Sequence, residues 1–239
     1  MAFTHHARRL VCCWLAATAL CLTSGCDEGE GPPLYTDGAS LPADVGAPLT
    51  LPDPSLDGGA SVRHTLATRR SIREFGTEPV TQQELSQVLW SAQGITASNS
   101  RRTAPSAGAL YPFEIYVVAA RVEDLDPGLY HYRIDDHTLA TVRTGDVAAE
   151  LIGLAQDFVA AAPVTLVLIG VVPRTAVKYG DRSTQYVLIE GGAIVQSVAL
   201  QAVDLGLGTT VVGGYDDAGI QAVVNTDALP VALVVLGRP

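Results

Sequence analysis

The chain has 239 residues, a mean hydropathy of +0.25, 48% apolar residues and 17% charged residues. This length and composition can bury a full core, which excludes a disordered acidic protein, a collagen-like chain and a disulfide-stapled miniprotein. The net charge is −10, from 25 acidic and 15 basic residues, and no segment forms a basic face, so no nucleic-acid partner is expected.

The first 25 residues have the layout of an export signal. A basic start with Arg8 and Arg9 precedes an apolar run over residues 10–22, and small residues follow. The run is too short for a comfortable membrane span, so residues 1–25 are predicted to be a signal peptide. Loss of the two arginines takes the net charge from −10 to −12. The arginine pair also permits a twin-arginine signal, which exports folded proteins, in place of the general secretory route.

The cysteines lie in the same region of the chain, at Cys12, Cys13, Cys21 and Cys26. None remains downstream for a disulfide, a zinc site or a thiol nucleophile, so no metal site is predicted. The residues before Cys26 resemble a bacterial lipobox, although Thr23 stands where a leucine is preferred. This resemblance implies that Cys26 is acylated and that the protein is an exported lipoprotein of the cell envelope, periplasmic and held at the membrane by its lipid anchor only.

Residues 26–48 are acidic, rich in Gly and Pro, and free of Lys and Arg. They show no hydrophobic period and cannot bury enough surface to offset the entropy of ordering. We therefore predict a disordered tether over 26–48 and a folded domain over 49–239.

The folded domain is predicted to be α+β. Thr81 opens a capping box, which predicts a helix that ends at Gly94. Apolar runs predict buried strands, and the segment around residues 134–137 predicts a β-hairpin turn. The predicted helices cover residues 61–69, 81–94, 146–158 and 183–205. The predicted strands cover residues 113–120, 128–133, 138–142, 163–172, 209–212 and 231–236, with a loop over 95–109. Helices mixed with antiparallel strands indicate one layered domain.

Four segments could contact a ligand. The densest cationic cluster contains Arg69, Arg70, Ser71 and Arg73, whose guanidinium and hydroxyl donors suit a phosphate monoester, although a solvated surface turn explains them equally well. Residues 103–112 are small and bracketed by prolines, which permits either close approach to a flat ligand or a plain connection.

The other two segments follow predicted strands. Gly213 and Gly214 could expose an amide to a bound ring or form an ordinary turn, and Arg238 places a guanidinium after the last strand. None of these spacings matches a dinucleotide-binding or Walker fingerprint.

Taken together, the segments resemble a known family. They are RRSIREF (69–75), LWSAQG (89–94), RRTAPSAGALYPFEIYVV (101–118), PGLYHY (127–132), KYGDRSTQYVLIEGGAIVQ (178–196), LGLG (205–208), GGYDD (213–217) and LGRP (236–239). Their order and spacing resemble the nitroreductase superfamily, specifically its SagB-type branch of FMN-dependent dehydrogenases related to thiazoline/oxazoline oxidases. The resemblance covers residues 49–239. It implies a mixed sheet flanked by helices and an intertwined homodimer with two FMN sites at the interface.

The resemblance also implies roles for individual residues. The contacts to the phosphate and ribityl groups of FMN would be made by Arg69, Arg70, Ser71, Arg73 and Arg238. The loop that reaches the flavin from the neighbouring subunit would consist of Pro105, Ser106, Ala107 and Gly108. The amide that faces flavin N5 would belong to Gly213 or Gly214. Proton abstraction would be carried out by Lys178 and Tyr179. A lysine in a dry pocket would have a lowered pKa, which suits that task.

The expected activity is hydride transfer between flavin N5 and a small or peptide-derived substrate. Gly192 stands where the branch often has histidine, and Ser197 follows Gln196 where it often has asparagine, so both departures bear on the substrate. The alternatives are an NAD(P)H-dependent nitro or quinone reductase, a non-catalytic flavin-binding lipoprotein, and a cofactor-free structural lipoprotein. His131 and His137 are expected to be structural or exposed.

Overall fold

The computed structural model describes residues 38–239. The predicted signal peptide, the acylated Cys26 and residues 26–37 of the predicted tether lie outside the described residues.

Seven strands form a single sheet in the spatial order β1-β4-β3-β2-β5-β7-β6. Their bounds are β1 Val45–Thr50, β2 Phe113–Ala119, β3 Gly128–Arg133, β4 Thr138–Thr144, β5 Val164–Gly170, β6 Gly208–Val212 and β7 Leu229–Gly237. The α+β prediction is confirmed. The expectation of a mixed sheet is wrong, because all ladders between these strands are antiparallel and parallel pairing at this sheet's edge is limited to a bridge between Ser71 and Thr209.

The described residues form six α-helices. Their bounds are α1 Val62–Thr68, α2 Gln82–Gln93, α3 Asp157–Ala161, α4 Val172–Tyr179, α5 Ser183–Asp204 and α6 Asp217–Val224. Thr81 and Glu84 form the predicted capping box at the start of α2, so two backbone N–H groups that lack helical partners are satisfied reciprocally. Short 3₁₀ turns cover Ala107–Ala109, Ala148–Leu151 and Gly180–Arg182.

Both faces of the sheet are buried. Side chains alternate along a strand, so Ile115 and Val117 of β2 join the core that contains α2 and α5, whereas Tyr116 and Val118 join the core beneath α6. Each large apolar side chain buried in this way contributes about 1.5–3 kcal/mol. Burial on both faces explains why β2 and β5 read as continuous apolar runs in the sequence.

One predicted helix is wrong, and three elements were not predicted. Residues 146–158 form a 3₁₀ turn and then the start of α3, because Gly153 adopts a φ of +78° between them. Asp146 still accepts a hydrogen bond from the Ala149 N–H, at 3.2 Å. The unpredicted elements are β1, α4 and α6, which are too short or too interrupted to show a clear period.

The predicted tether extends too far. The described chain already contacts the domain at Ser40, whose N–H donates to Asp227 Oδ1 at 2.6 Å, and whose carbonyl accepts from Thr226 Oγ1 at 2.6 Å. β1 then pairs with β4 from residue 45 onward. The ordered chain therefore begins before the predicted boundary at residue 49.

Within residues 38–239, one stretch, Val172–Asp204, is long and apolar enough to cross a membrane by length and composition alone. It consists of α4, a 3₁₀ turn and α5. Val187, Ile194 and Val198 of this stretch are fully buried in the domain core. Core packing therefore accounts for much of its hydropathy.

Candidate functional site

Three segments from distant parts of the sequence meet at one end of the sheet. The register pairs Phe113 of β2 with Gly170 of β5, and Gly170 with Leu229 of β7. The loop before β2 and helix α4 after β5 therefore leave the sheet at the same end. β6 also ends there, because it runs antiparallel to β7. This end carries residues 105–108, Lys178, Tyr179, Gly213 and Gly214.

The arginine cluster lies beside β6, the edge strand that leads to the glycine pair. Ser71 forms a parallel bridge with Thr209, and the Ile72 N–H donates to the Thr209 carbonyl at 2.9 Å. Thr210 Oγ1 donates to the Ile72 carbonyl at 2.5 Å. Gly208 is required for this approach, since a Cβ there would lie 2.7 Å from the Ile72 side chain. The segment therefore runs along β6 toward Gly213.

The donors of this cluster fit an anion. Among the described residues, Arg69, Arg70 and Arg73 form no ion pair with a carboxylate. Arg70 donates to backbone carbonyls, and the guanidinium of Arg73 lies 5.9 Å from the centre of the Phe158 ring. Ser71 is exposed beside them. Uncompensated guanidinium groups next to a hydroxyl suit a phosphate monoester in a chain with a net negative charge.

The glycine pair leaves room for a ligand. Gly213 and Gly214 are exposed after β6, and a Cβ at Gly213 would meet no atom within 4 Å. The Gly214 carbonyl accepts from Gln156 Nε2 at 3.0 Å, which fixes the turn. This open backbone follows the strand that the arginine cluster borders, an arrangement that fits a flat ring with a phosphate tail.

Arg238 is directed elsewhere. Its guanidinium donates to Glu84 Oε1 at 2.7 Å and lies 3.4 Å from Glu78 Oε2. Glu84 is held in place because its second oxygen accepts from the Thr81 N–H in the capping box. The charge of Arg238 is therefore compensated, unlike the charges of the arginine cluster.

The predicted catalytic pair lies against the predicted cofactor loop. Gly108 has a φ of +64°, and a Cβ there would lie 2.9 Å from the Tyr179 hydroxyl and 3.1 Å from Lys178 Nζ. A larger residue would have to displace the ends of both side chains and to adopt a strained positive φ. The structure thus brings Lys178, Tyr179 and the loop over 105–108 together.

The Lys178 side chain is exposed, and Tyr179 is partly buried against Tyr186, with ring centres 4.8 Å apart. The expected dry pocket around Lys178 is not formed within one chain. Helix α4 ends at Gly180, whose φ of +51° lets the backbone turn immediately after the pair.

The loop before β2 is strained and is held by specific contacts. Ala109 and Tyr111 have φ values of +54° and +45°, a region that costs about 1–3 kcal/mol per residue other than glycine. Ser106 Oγ accepts from the Tyr111 N–H at 2.9 Å, and the guanidinium of Arg102 lies 4.3 Å from the centre of the Tyr111 ring. The contacts of Ser106 and Arg102 therefore hold the loop in its strained conformation.

A buried acid behind this loop was not predicted. Glu190 of α5 is 3% exposed, and its Oε1 accepts from Gln93 Nε2 at 3.1 Å. Burial raises the pKa of Glu190 to about 7, against hydrogen bonds from Ser106 and Gln93 and the charge of Arg102, which lower it. A lone acid within the apolar run of α5 is the signal that could have identified it.

His131 links two acidic groups. Its Nε2 lies 2.9 Å from Glu114 and its Nδ1 lies 3.2 Å from Asp44. Burial disfavours the protonated ring, but the two carboxylates outweigh it and raise the pKa of His131. Glu114 also pairs with Arg174, so α4 is tied to the start of β2.

A cleft of about 500 Å³ lies between residues 55–60, α2 and the second half of α5. None of the predicted site residues lines it. The site at the end of the sheet is comparatively open within one chain.

The profile of the nitroreductase family matches residues 66–238, and the chain belongs to the nitroreductase family. A protein of Methanocaldococcus jannaschii that carries a provisional nitroreductase name, MJ1384, is 39% identical over 175 residues, which cover 72% of this chain and 88% of that protein. The microcin B17-processing protein McbC of Escherichia coli is 29% identical over 143 residues, which cover 57% of this chain and 53% of McbC.

The fold matches solved structures of the same family. A protein of Ralstonia eutropha JMP134, assigned provisionally as a nitroreductase, superposes with a TM-score of 0.71 and 29% identity. The match covers 83% of this chain and 94% of that one. The chain is therefore a nitroreductase-family oxidoreductase with a nitroreductase-like fold.

Proposed function

We propose that this chain is an FMN-dependent dehydrogenase of the SagB type, which moves a hydride between a small or peptide-derived substrate and flavin N5. The observation that carries the proposal is the placement of the lysine–tyrosine pair, its loop and the open glycine pair at one end of the sheet, with an arginine cluster that has no carboxylate partner beside β6, the strand that leads to the glycine pair. Members of the family are generally flavin-dependent, which supports FMN as the cofactor.

The chain's own residues would hold the cofactor in two parts. Arg69, Arg70, Ser71 and Arg73 would bind the phosphate, because guanidinium groups and a hydroxyl satisfy its oxygens. The backbone at Gly213 and Gly214 would lie against the ring. Arg238 would contribute only if the phosphate displaced Glu84 and Glu78 from its guanidinium.

The proton chemistry falls on the other pair of residues. FMN, when bound, supplies a two-electron acceptor. When a substrate C–H bond loses its hydride, the adjacent N–H or C–H proton must also leave, and Lys178 Nζ would accept it as the general base. The Tyr179 hydroxyl lies on the same side of the loop and would orient the substrate or relay the proton. The loop at Gly108 would hold both groups in position.

The substrate class is supported by similarity to a peptide-processing protein. McbC is named for processing microcin B17, and this chain is 29% identical to about half of it. A Cβ at Gly192 would meet no atom within 4 Å, so packing within the chain does not require glycine at this departure from the branch pattern. The position would therefore be free to differ with the substrate.

An absorption spectrum of the purified protein tests the proposal. We expect bands of bound flavin, and we expect bleaching under anaerobic conditions by an azoline-type peptide donor. Bleaching by NAD(P)H alone would favour a nitro or quinone reductase. A flavin spectrum that no donor or acceptor changes would favour a non-catalytic flavin-binding protein. Protein that stays colourless with added FMN would overturn the cofactor assignment.

We further propose a homodimer that completes the site. Leu188 and Ile189 of α5 are 50% and 62% exposed, and Val177 of α4, beside Lys178, is 60% exposed. A helix that is apolar on more than one side requires a second partner surface. A second subunit over this face would also remove water from Lys178, which one chain leaves exposed.

Leu188→Asp combined with Ile189→Asp is therefore expected to give a monomer, because two buried, unpaired carboxylates cost more than the dimer can offset. Sedimentation measures the change in mass. Ile152→Asp is a matched control, since Ile152 is 67% exposed on a turn remote from α5. A dimer that survives the double substitution would place the interface elsewhere.

We also propose that the protein is an exported lipoprotein anchored through Cys26. The support is the sequence pattern before Cys26 together with the acidic stretch that follows it. Incorporation of a labelled fatty acid on expression in a bacterial host, and its loss in Cys26→Ser, tests the anchor. Unlabelled wild-type protein would contradict it.

A further inference from the structure

A buried polar cluster lies directly behind the loop that carries the proposed site residues. Glu190 of α5 contacts Gln93 at the end of α2 and the Ser106 hydroxyl of the loop. Arg102 Nη1 lies 3.4 Å from Gln93 Oε1, and its buried Nε has no hydrogen-bond partner among residues 38–239. The cluster thus joins two core helices to the start of the loop.

Ser106 connects this cluster to the strained part of the loop. Its Oγ accepts from the Tyr111 N–H and is hydrogen-bonded to Glu190. Arg102 packs its guanidinium on the Tyr111 ring. The two residues that fix the left-handed conformation at Tyr111 therefore both face Glu190.

The groups around Glu190 do not compensate a full charge. Arg102 is the charged group that faces Glu190, and its own charge is shared with Asp135, Glu114 and Tyr111. α2 presents the neutral Gln93. A neutral carboxyl avoids the cost of a buried charge, while its oxygens still accept hydrogen bonds from Gln93 and Ser106. An ionised carboxylate at this buried position lacks the hydration that stabilises its charge in water.

We infer that Glu190 is a positioning residue for the 101–112 loop, which is held while Glu190 carries its proton and loosens when the carboxyl ionises. Opening the loop at Ser106 and Arg102 admits water to the carboxyl. The relevance to catalysis rests on the proposed function, because the loop carries Gly108 against Lys178 and Tyr179. The loop's pH response does not depend on that function.

The direction of the pH effect follows from the linkage between protonation of Glu190 and opening of the loop. Buried Glu190 has a pKa of about 7, whereas the hydrated carboxyl returns to its ordinary pKa of 4.5. The equilibrium constant for opening the loop is therefore lowest below pH 4.5. It then rises by about tenfold per pH unit until pH 7. Above pH 7 the opening constant reaches a plateau about 10²-fold higher than at pH 5.

Hydrogen–deuterium exchange of the purified protein, corrected for intrinsic rates, measures this opening in peptides covering residues 101–112 between pH 5 and 8.5. We expect the rise and plateau in the wild type and a flat profile in Glu190→Gln, which keeps the shape and hydrogen bonding without the charge. Glu150→Gln is the matched control, since Glu150 is an exposed carboxylate paired with Arg143, and it should keep the wild-type profile.

Ser106→Ala provides a second variant if Glu190→Gln does not fold. Loss of a hydrogen bond that favours the ionised carboxyl should move the plateau to higher pH. A flat wild-type profile, or an equal rise in Glu190→Gln, would overturn the inference. These measurements require neither substrate nor turnover, so their failure is distinguishable from failure of the proposed function.

Discussion

Lys178→Met is expected to lower kcat with a peptide-derived azoline substrate by about 10²–10⁴-fold, the usual contribution of a positioned general base. Methionine keeps the length and apolar stem of the side chain and removes only its ability to accept a proton. The Lys178 Nζ lies beside Gly108 of the loop, at the surface. We therefore expect the variant to keep its fold and its bound flavin. Rapid-reaction measurement of flavin reduction separates the chemical step from product release.

The matched control is Arg182→Met, which removes an exposed cation one turn away, packed on Tyr186. It should leave flavin reduction within about twofold, because its guanidinium does not lie on the loop. Equal losses in the two variants would show that net charge, and not a base at Lys178, supports turnover. Wild-type turnover in Lys178→Met would exclude Lys178 as the base.

Lys178 also offers a chemical test, because it is the only lysine in the chain. Reductive dimethylation therefore modifies this side chain and, if it is free, the amino terminus. Dimethylation retains a basic nitrogen but adds bulk against Gly108 and Tyr179. We expect kcat to fall and bound flavin to protect Lys178 from the reagent.

Ser71→Ala combined with Arg73→Ala is expected to weaken FMN binding by about 3–6 kcal/mol, because each charge-assisted hydrogen bond contributes about 1.5–3 kcal/mol. This corresponds to a rise in Kd of about 10²–10⁴-fold. Both residues lie on the exposed segment beside β6, where neither carries a core contact. Thermal unfolding of the flavin-free protein should consequently change little.

Riboflavin, which lacks the phosphate, makes this test specific. The double variant should bind riboflavin as the wild type does, since only the contacts to the phosphate are lost. Arg63→Ala, which removes another exposed arginine on α1, should affect neither ligand. Equal weakening of FMN and riboflavin would contradict the phosphate assignment and would indicate a local distortion of β6.

The elements that the sequence determined are those whose signals are local. Thr81 and Glu84 define the start of α2 through four consecutive residues, and Gly94 ends it. The apolar runs of β2 and β5 are long enough to identify strands. The family could be recognised because its motifs are short segments in a fixed order, and the profile match confirms it.

Other features were decided only by the tertiary structure, because they depend on residues far apart in the chain. β1 contains Gly46 and Pro48 and forms a strand because β4 offers an unpaired edge. Arg238 pairs with Glu84, which lies 154 positions earlier, so a motif at the end of the chain could not reveal its partner.

The same reasoning applies to the candidate site. Lys178 and Gly108 are both recognisable motif residues, but their contact depends on the antiparallel register of β2 and β5. Glu190 is a lone acidic residue in an apolar helix, and its raised pKa arises from burial, which hydrogen bonds from Ser106 and Gln93 and the charge of Arg102 offset only in part. Local propensity acts within a few residues, whereas burial and charge pairing act through space, and only the folded chain determines them.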